Sequence, residues 1–189
     1  LSLQTAADEY LLRKMKESTR DDVRRAMRHL EDWMDRPVRE IKPAMVEKRH
    51  QKLTLKATGS GARANLTMRY LRAILNHCSI QHADDDGNPF IQNNPVNRLS
   101  AQKQWNRDQR RQTRVTADQL PGWFDTVLNG LVGLKYADEI RDCLLLSMLT
   151  GVRPGEARSL AWSNVDLKLK KMIFPHTKNH TNHELPITD

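Results

Sequence analysis

Cysteine is scarce in this sequence: only Cys78 and Cys143 occur among the 189 residues. Both lie in apolar stretches that we expect to be helical, so we interpret them as reduced core residues of a cytoplasmic protein. A disulfide between them would be unusual in such a protein. No run of about twenty apolar residues is present, which excludes a membrane-spanning helix. Leu1 to Tyr10 also lacks the basic start and apolar core of a signal peptide.

An initiator methionine is missing as well, since the sequence begins at Leu1. We therefore expect these residues to be part of a longer protein. Their number allows one large domain or two small ones.

Basic residues outnumber acidic ones, and the excess of positive charge is concentrated in one segment. Lys and Arg total 31 against 23 Asp and Glu, a net charge of +8, and residues 98–114 alone carry +5. This segment follows Asn94-Pro95 and has only two large apolar residues, Leu99 and Trp105, so we predict an extended linker between two domains. A linker that is merely soluble is the alternative. A segment of one charge sign repels itself unless a polyanion neutralises it, so we favour contact with DNA phosphates. The candidate contacts are Arg107, Arg110, Arg111 and Arg114.

Residues 1–97 have the apolar spacing of helices. Val23, Met27, Leu30 and Met34 would share one side of a helix, Pro43 would begin another, and a long helix would follow Gly61. Asp84 to Pro89 has the composition of a loop. We predict an all-α bundle of four or five helices here.

Residues 115–189 change character along their length. Ile140 to Leu149 is apolar almost all round, which is typical of a fully buried helix. Met172 to Phe174 and Glu184 to Ile187 are predicted strands, with turn residues between them. The predicted fold class is therefore mainly α, with an all-α bundle followed by an α+β part that has a small antiparallel sheet.

Between the buried helix and the sheet lies a short turn with an arginine at its centre. Gly151 stands where a helix needs a left-handed C-terminal cap, and Pro154 where the next helix begins. Arg153 lies between them, and Glu156 follows on the near side of the new helix, within reach of the guanidinium. From these residues alone, an ordinary surface arginine at a helix–helix turn is the better interpretation.

The residues around this turn change that interpretation. They follow the pattern T-G-x-R-x-x-E followed by x-x-x-L-x-W-x-x-V-D, with matches at Thr150, Gly151, Arg153, Glu156, Leu160, Trp162, Val165 and Asp166. The pattern resembles the first arginine box of the tyrosine recombinases, the phage integrase family. Further similarities are the turn at 32–41, the helix at 64–76 and the N-P-V sequence at 94–96, which resemble the family's core-binding domain.

The resemblance implies a division of the chain. Residues 1–97 would be a core-binding domain that clamps one side of the DNA, 98–114 a basic linker, and 115–189 the first part of a catalytic domain. Candidate phosphate contacts in the first domain are Arg63, Arg69 and Arg72, with Lys56 as a further candidate. A solvated polar face remains the alternative for each of them.

The resemblance also implies roles in catalysis. The family cuts DNA with a tyrosine, forms a 3′-phosphotyrosyl bond and rejoins the strand, without a metal or other cofactor. Arg153 would stabilise the charge on the phosphate, Glu156 would orient Arg153, and Lys178 on the hairpin would be the general acid. His176, His180 and His183 crowd the same hairpin, but no ligand set of usual spacing completes a metal site.

Other parts of the family's active site are missing from the sequence. No H-x-x-R box follows Lys178, and the three tyrosines (Tyr10, Tyr70 and Tyr136) all precede Arg153. We expect a fragment of a phage or bacterial recombinase that binds double-stranded DNA without cutting it, whereas the longer protein would act as a homo-oligomer on DNA. A non-catalytic DNA-binding accessory protein of the same fold is the first alternative, and a type IB topoisomerase is the second.

Overall fold

The computed structural model describes residues 1–56, 61–107, 113–175 and 182–188. These residues form two compact units, Leu1–Arg111 and Gln112–Asp189. The fold class predicted from the sequence, mainly helical with a small antiparallel sheet, is confirmed. The finer division into a core-binding domain, a basic linker and a catalytic part stays a prediction.

Five α-helices build the described part of the first unit. They are α1 (Leu3–Leu11), α2 (Glu17–Met27), α3 (Pro43–Lys56), α4 (Ala62–Gln81) and α5 (Asn97–Ala101). Short 3-10 turns occupy Arg28–Trp33 and Val38–Glu40 between α2 and α3. The longest helix, α4, packs against α1, α2 and α3, so it lies at the centre of the bundle.

The buried side of α4 supplies much of the core. Met68, Leu71, Ile74, Leu75 and Cys78 have no exposed surface. They recur at the helical spacing of three to four residues, so one long side of α4 is apolar. Burial of a large aliphatic side chain contributes about 1.5–3 kcal/mol, so this side fixes the rotation of α4 in the bundle.

The segment after Asn94 differs from the extended linker that its composition predicted. Residues 97–101 form α5, Leu99 is fully buried, and Trp105 packs against the core. Arg98 also pairs with Glu47 of α3 at 2.8 Å. The expectation of an extended chain is wrong for residues 98–101, because they are helical and Leu99 is buried in the bundle.

A buried amide network fixes the end of this segment. The Asn65 side chain accepts a hydrogen bond from the Asn106 N–H (3.1 Å) and donates one to the Asn106 carbonyl (2.9 Å). The Asn106 side chain in turn donates to the Thr54 hydroxyl (2.8 Å) and the Gly61 carbonyl (3.2 Å). His50, which is buried, is bonded to Asn65 at 3.0 Å. The chain at Asn106 is thereby fastened to both α3 and α4.

Three α-helices and a small sheet make up the described part of the second unit. The helices are α6 (Leu120–Asn129), α7 (Ala137–Thr150) and α8 (Pro154–Ser159). The strands β1 (Val165–Asp166), β2 (Lys171–Phe174) and β3 (His183–Pro186) form an antiparallel sheet in the order β1-β2-β3. In the predicted hairpin, Phe174 pairs with His183 and Met172 with Leu185. The core of this unit centres on Val152, Ala157 and Phe174.

The expectation of a fully buried helix at 140–149 is wrong. No residue of α7 is buried, and Ile140, Leu144 and Met148 are more than a third exposed, while Leu149 is 74% exposed. Apolar residues all round a helix show what it could bury, whereas its actual burial depends on the elements packed against it. In the described part of this unit, α6 and α8 cover only some of its sides.

Within the described ranges, no helix is both long and apolar enough to cross a membrane.

The contact between Gly61 and Asn106 gives a stability prediction. A Cβ at Gly61 would lie 2.5 Å from Asn106 Cγ, whereas a Cβ at Gly87 would meet nothing within 4 Å. Both glycines have left-handed φ angles, +64° and +80°, so alanine costs about 1–2 kcal/mol of backbone strain at either position. Gly61→Ala should cost about 1–3 kcal/mol more than Gly87→Ala, since it also breaks the partly buried hydrogen bonds of the Asn106 side chain. Urea unfolding measures both, and equal losses would contradict the role given to Asn106.

Candidate functional site

The turn between α7 and α8 has the geometry expected from its sequence. Gly151 caps α7 at φ +71°, and its N–H donates to the Ser147 carbonyl at 3.0 Å. Pro154 is the first residue of α8, where its missing N–H costs nothing. Arg153 is the N-cap of α8, with extended φ and ψ of −66° and 145°. The two helix ends therefore determine the backbone of Arg153 from both sides.

Neighbouring residues hold this turn against the core while Arg153 stays accessible. Val152 is 5% exposed and packs in the core with Ala157 and Phe174. The Arg153 side chain, next in the chain, is 60% exposed. An apolar anchor thus stands directly before a cation that faces solvent.

Glu156 binds Arg153 at two points. Its carboxylate accepts a hydrogen bond from the Arg153 backbone N–H at 3.1 Å and from the Arg153 Nη1 at 2.9 Å. The first bond satisfies an otherwise unpaired N–H at the start of α8, as in a capping box. The second orients the guanidinium, and the Glu156 side chain is only 15% exposed. The sequence prediction that Glu156 reaches Arg153 is confirmed in its geometry.

These bonds also lower the pKa of Glu156. The backbone N–H of Arg153 has the largest effect, followed by the Arg153 guanidinium, and His183 adds a smaller favourable charge interaction. Each stabilises the ionised carboxylate. Glu156 is therefore a fixed negative charge beside Arg153 at neutral pH.

The end of β2 and the start of β3 lie beside this turn. Phe174, at the end of β2, packs with Val152, and its ring lies 6.3 Å from that of His183 at the start of β3. His183 in turn influences the Glu156 carboxylate. Sequence reasoning did not connect His183 with Glu156, because their proximity depends on the packing of the sheet. Lys178, His176 and His180 lie outside the described residues.

Two of the three candidate phosphate contacts of α4 lie together, and the third lies on the opposite side of the helix. The guanidinium carbons of Arg69 and Arg72 lie 5.9 and 5.6 Å from the centre of the Trp105 ring. Arg63 precedes Arg72 by nine residues, which is about two and a half turns, and so lies on the opposite side. Arg63 instead acts on His29, whose pKa is lowered by burial and by the charges of Arg63 and Arg28.

The remaining candidates are only partly described. Arg107 and Arg114 are exposed, whereas Arg110 and Arg111 lie outside the described residues. Among the residues that the structure does describe, no group of three or more His, Cys, Asp or Glu side chains could hold a metal ion.

The pair formed by Arg153 and Glu156 gives a titration prediction. A carboxylate whose pKa is lowered on folding stabilises the folded state above its unfolded pKa of about 4.3, and this stabilisation is lost as the pH falls through the folded pKa. Arg153→Ala removes the guanidinium but keeps the backbone N–H, so the Glu156 pKa should rise only part of the way. NMR titration of the Glu156 carboxyl carbon measures this. A pKa in the native chain at or above the unfolded value would contradict the geometry.

Comparison with known proteins adds to this geometry. No family model and no curated protein matches the chain. Among solved structures, a Tn1549 transposon integrase in complex with a circular intermediate DNA matches 100% of the chain with a TM-score of 0.74 at 18% identity. A lambda integrase dimer bound to a COC′ core site matches 98% with a TM-score of 0.75 at 17% identity. A lambda integrase tetramer bound to a Holliday junction also matches 98%, with a TM-score of 0.74 at 17% identity.

The structural similarity covers nearly all of this chain but only part of each matched integrase chain. The chain covers 62% of the Tn1549 and lambda dimer chains and 51% of the tetramer chain. It therefore spans between half and two thirds of their length. The similarity to integrases predicted from the arginine turn is confirmed at the level of the fold, and the described parts of the chain have the integrase fold.

Proposed function

We propose that this chain is part of a site-specific DNA recombinase that cuts and rejoins DNA through a 3′-phosphotyrosyl intermediate. The observation that carries the proposal is the Arg153 turn, an exposed guanidinium fixed by two helix ends and by Glu156, in a chain with the integrase fold. The matched integrases are solved with DNA, which supports DNA as the partner and assembly of several copies on it.

Arg153 suits the charge changes of phosphoryl transfer. The transition state carries extra negative charge on the non-bridging phosphate oxygens, and a planar guanidinium donates parallel hydrogen bonds to such oxygens. Glu156 engages Nη1 and leaves other N–H groups of Arg153 for a phosphate. Because Glu156 also fixes the N–H of the same residue, the guanidinium is preorganised. We assign to Arg153 the stabilisation of the transition state.

Lys178 is our candidate for the general acid. It belongs to the segment between β2 and β3, and the described ends of that segment lie beside the Arg153 turn. A lysine brought to the same phosphate could protonate the leaving 5′-oxygen. This assignment rests on the sequence resemblance together with the position of the two strands.

We further propose that these 189 residues bind DNA without cutting it. No tyrosine follows Tyr136, and no H-x-x-R box follows Lys178. The nucleophile and a second arginine would then come from a longer chain. A non-catalytic DNA-binding accessory protein of the same fold is the competing proposal, and the cleavage experiment below separates the two.

The segment 98–114 gives a binding prediction. Replacement of Arg107, Arg110, Arg111 and Arg114 by alanine should weaken binding to duplex DNA. The slope of log affinity against log salt should also fall by about 0.9 for each phosphate that the protein no longer neutralises. Fluorescence anisotropy at several salt concentrations measures both quantities. Four replacements elsewhere in the first unit, at Arg20, Arg24 and Arg25 of α2 and at Arg36, serve as the control. An equal effect there would remove the segment from the interface.

The active-site assignment gives a cleavage prediction. With a nicked suicide substrate, the 189 residues should give no covalent adduct, whereas the chain extended along its reading frame should give a phosphotyrosyl adduct without added metal. In the extended chain, Arg153→Ala should slow cleavage about a hundredfold or more with little loss of DNA affinity. Arg158→Ala is the matched control, because Arg158 is an exposed arginine of α8, the helix that Arg153 caps. An adduct from the 189 residues alone would make Tyr10, Tyr70 or Tyr136 the nucleophile and overturn the assignment.

Lys178 has a separate test in the extended chain. Lys178→Ala should slow cleavage of normal DNA, and a substrate with sulfur in the 5′-bridging position should restore the rate, because a thiolate leaves without a proton. Gel assays of the adduct with both substrates measure this. Restoration of Arg153→Ala but not of Lys178→Ala would reverse the two roles.

A further inference from the structure

Trp105 occupies a fixed position between α5 and α4. Its ring packs against the core of the first unit and meets the buried His50 ring edge-on at 5.8 Å. Its indole N–H donates to the Ser100 hydroxyl at 2.9 Å. The ring is therefore held by packing on one side and by a hydrogen bond at its polar edge.

Two cations lie beside this ring. The guanidinium carbons of Arg69 and Arg72 are both within about 6 Å of its centre, the range in which a cation is attracted by the electrons of an aromatic ring. The ring attracts both cations, so it offsets part of the cost of bringing two like charges to one place. Two positive charges held together in this way at the protein surface suit a polyanion with closely spaced phosphates.

Asn106, the residue after Trp105, fixes the backbone position of Arg107. Asn106 is bound through both its N–H and its carbonyl to the buried Asn65 side chain. Arg107 follows directly and is exposed. Its Cα lies within about 7.6 Å of the Trp105 Cα, because consecutive Cα atoms are about 3.8 Å apart. The backbone of a third cationic residue, Arg107, is therefore fixed close to the ring that Arg69 and Arg72 flank.

We propose that Trp105 is a positioning residue that holds Arg69 and Arg72 as a paired binding site for neighbouring phosphates of duplex DNA, with Arg107 as a third contact. The proposal rests on the DNA binding proposed above and adds which arginines act as a unit. A long arginine side chain loses conformational freedom when it binds a phosphate. Trp105 removes part of that freedom in advance, so binding to the pair is tighter. Arg63, on the opposite side of α4, stands outside this unit.

The test is a pair of double-mutant cycles on duplex DNA binding. Trp105→Leu should weaken binding about threefold to tenfold, and it should lower the salt slope by about 0.9 to 1.8. Trp105→Phe keeps an aromatic ring and should retain most of the affinity. Combined with Arg72→Gln, Trp105→Leu should add little further loss, since both changes disable the same site. Combined with the matched control Arg63→Gln, it should add its full effect.

A purely structural role for Trp105 gives a different pattern. A general loss of stability would weaken binding by the same factor in the Arg72→Gln and Arg63→Gln backgrounds, and this additivity would overturn the proposal. An unchanged salt slope in Trp105→Leu would also overturn it. Thermal unfolding shows whether each variant is folded. If Trp105→Leu is unfolded, the same two cycles are run with Trp105→Phe. The proposal then requires that the losses of DNA affinity are non-additive with Arg72→Gln, to a smaller extent, and additive with Arg63→Gln.

The failure of this proposal is distinguishable from failure of the proposed function. If the native chain does not bind duplex DNA at low salt, the DNA-binding function is wrong. If the native chain binds, but the Trp105 and Arg72 changes are additive, only the role of Trp105 is wrong.

Discussion

Burial of one long side of α4 is the constraint on which the first unit depends. Met68, Leu71, Ile74, Leu75 and Cys78 are fully enclosed by the surrounding helices, so α4 cannot rotate without exposing several of them at once. The directions in which its arginines leave the helix are therefore fixed by the core. Burial also raises the pKa of the Cys78 thiol, so this residue stays a neutral part of the packing.

The described second unit depends on a much smaller core. Val152, Ala157 and Phe174 come from the turn, from α8 and from β2, and each is close to a residue of the candidate site. Val152 immediately precedes Arg153, Ala157 follows Glu156, and Phe174 ends the strand that leads into the Lys178 segment. Packing among three side chains thus couples the arginine turn to the strands of the hairpin, and the joint action proposed for Arg153 and Lys178 depends on this packing.

Features governed by local rules were predictable from the sequence, and those governed by distant packing were not. The Gly151 cap, the start of α8 at Pro154 and the bond from Glu156 to Arg153 depend on neighbours in the chain, and the structure has all three. The alternation of the hairpin strands is equally local. The exposure of α7 and the folding of 97–101 onto the bundle depend on which surfaces lie opposite them, and the composition of a segment does not contain that information. The contact of Trp105 with Arg69 and Arg72 was unpredictable for the same reason, since only the tertiary fold brings these residues together.

The close approach of Asn106 to Gly61 couples two positions that are far apart in the chain. Asn106 fills the space that a side chain at position 61 would need, and it satisfies the Gly61 carbonyl from there. Asn106 is therefore compatible only with a residue at position 61 that has no side chain. Across homologous sequences, loss of the glycine should accompany loss of the asparagine, and this covariation would mark which members of a lineage attach the segment after α5 to the bundle in the same way.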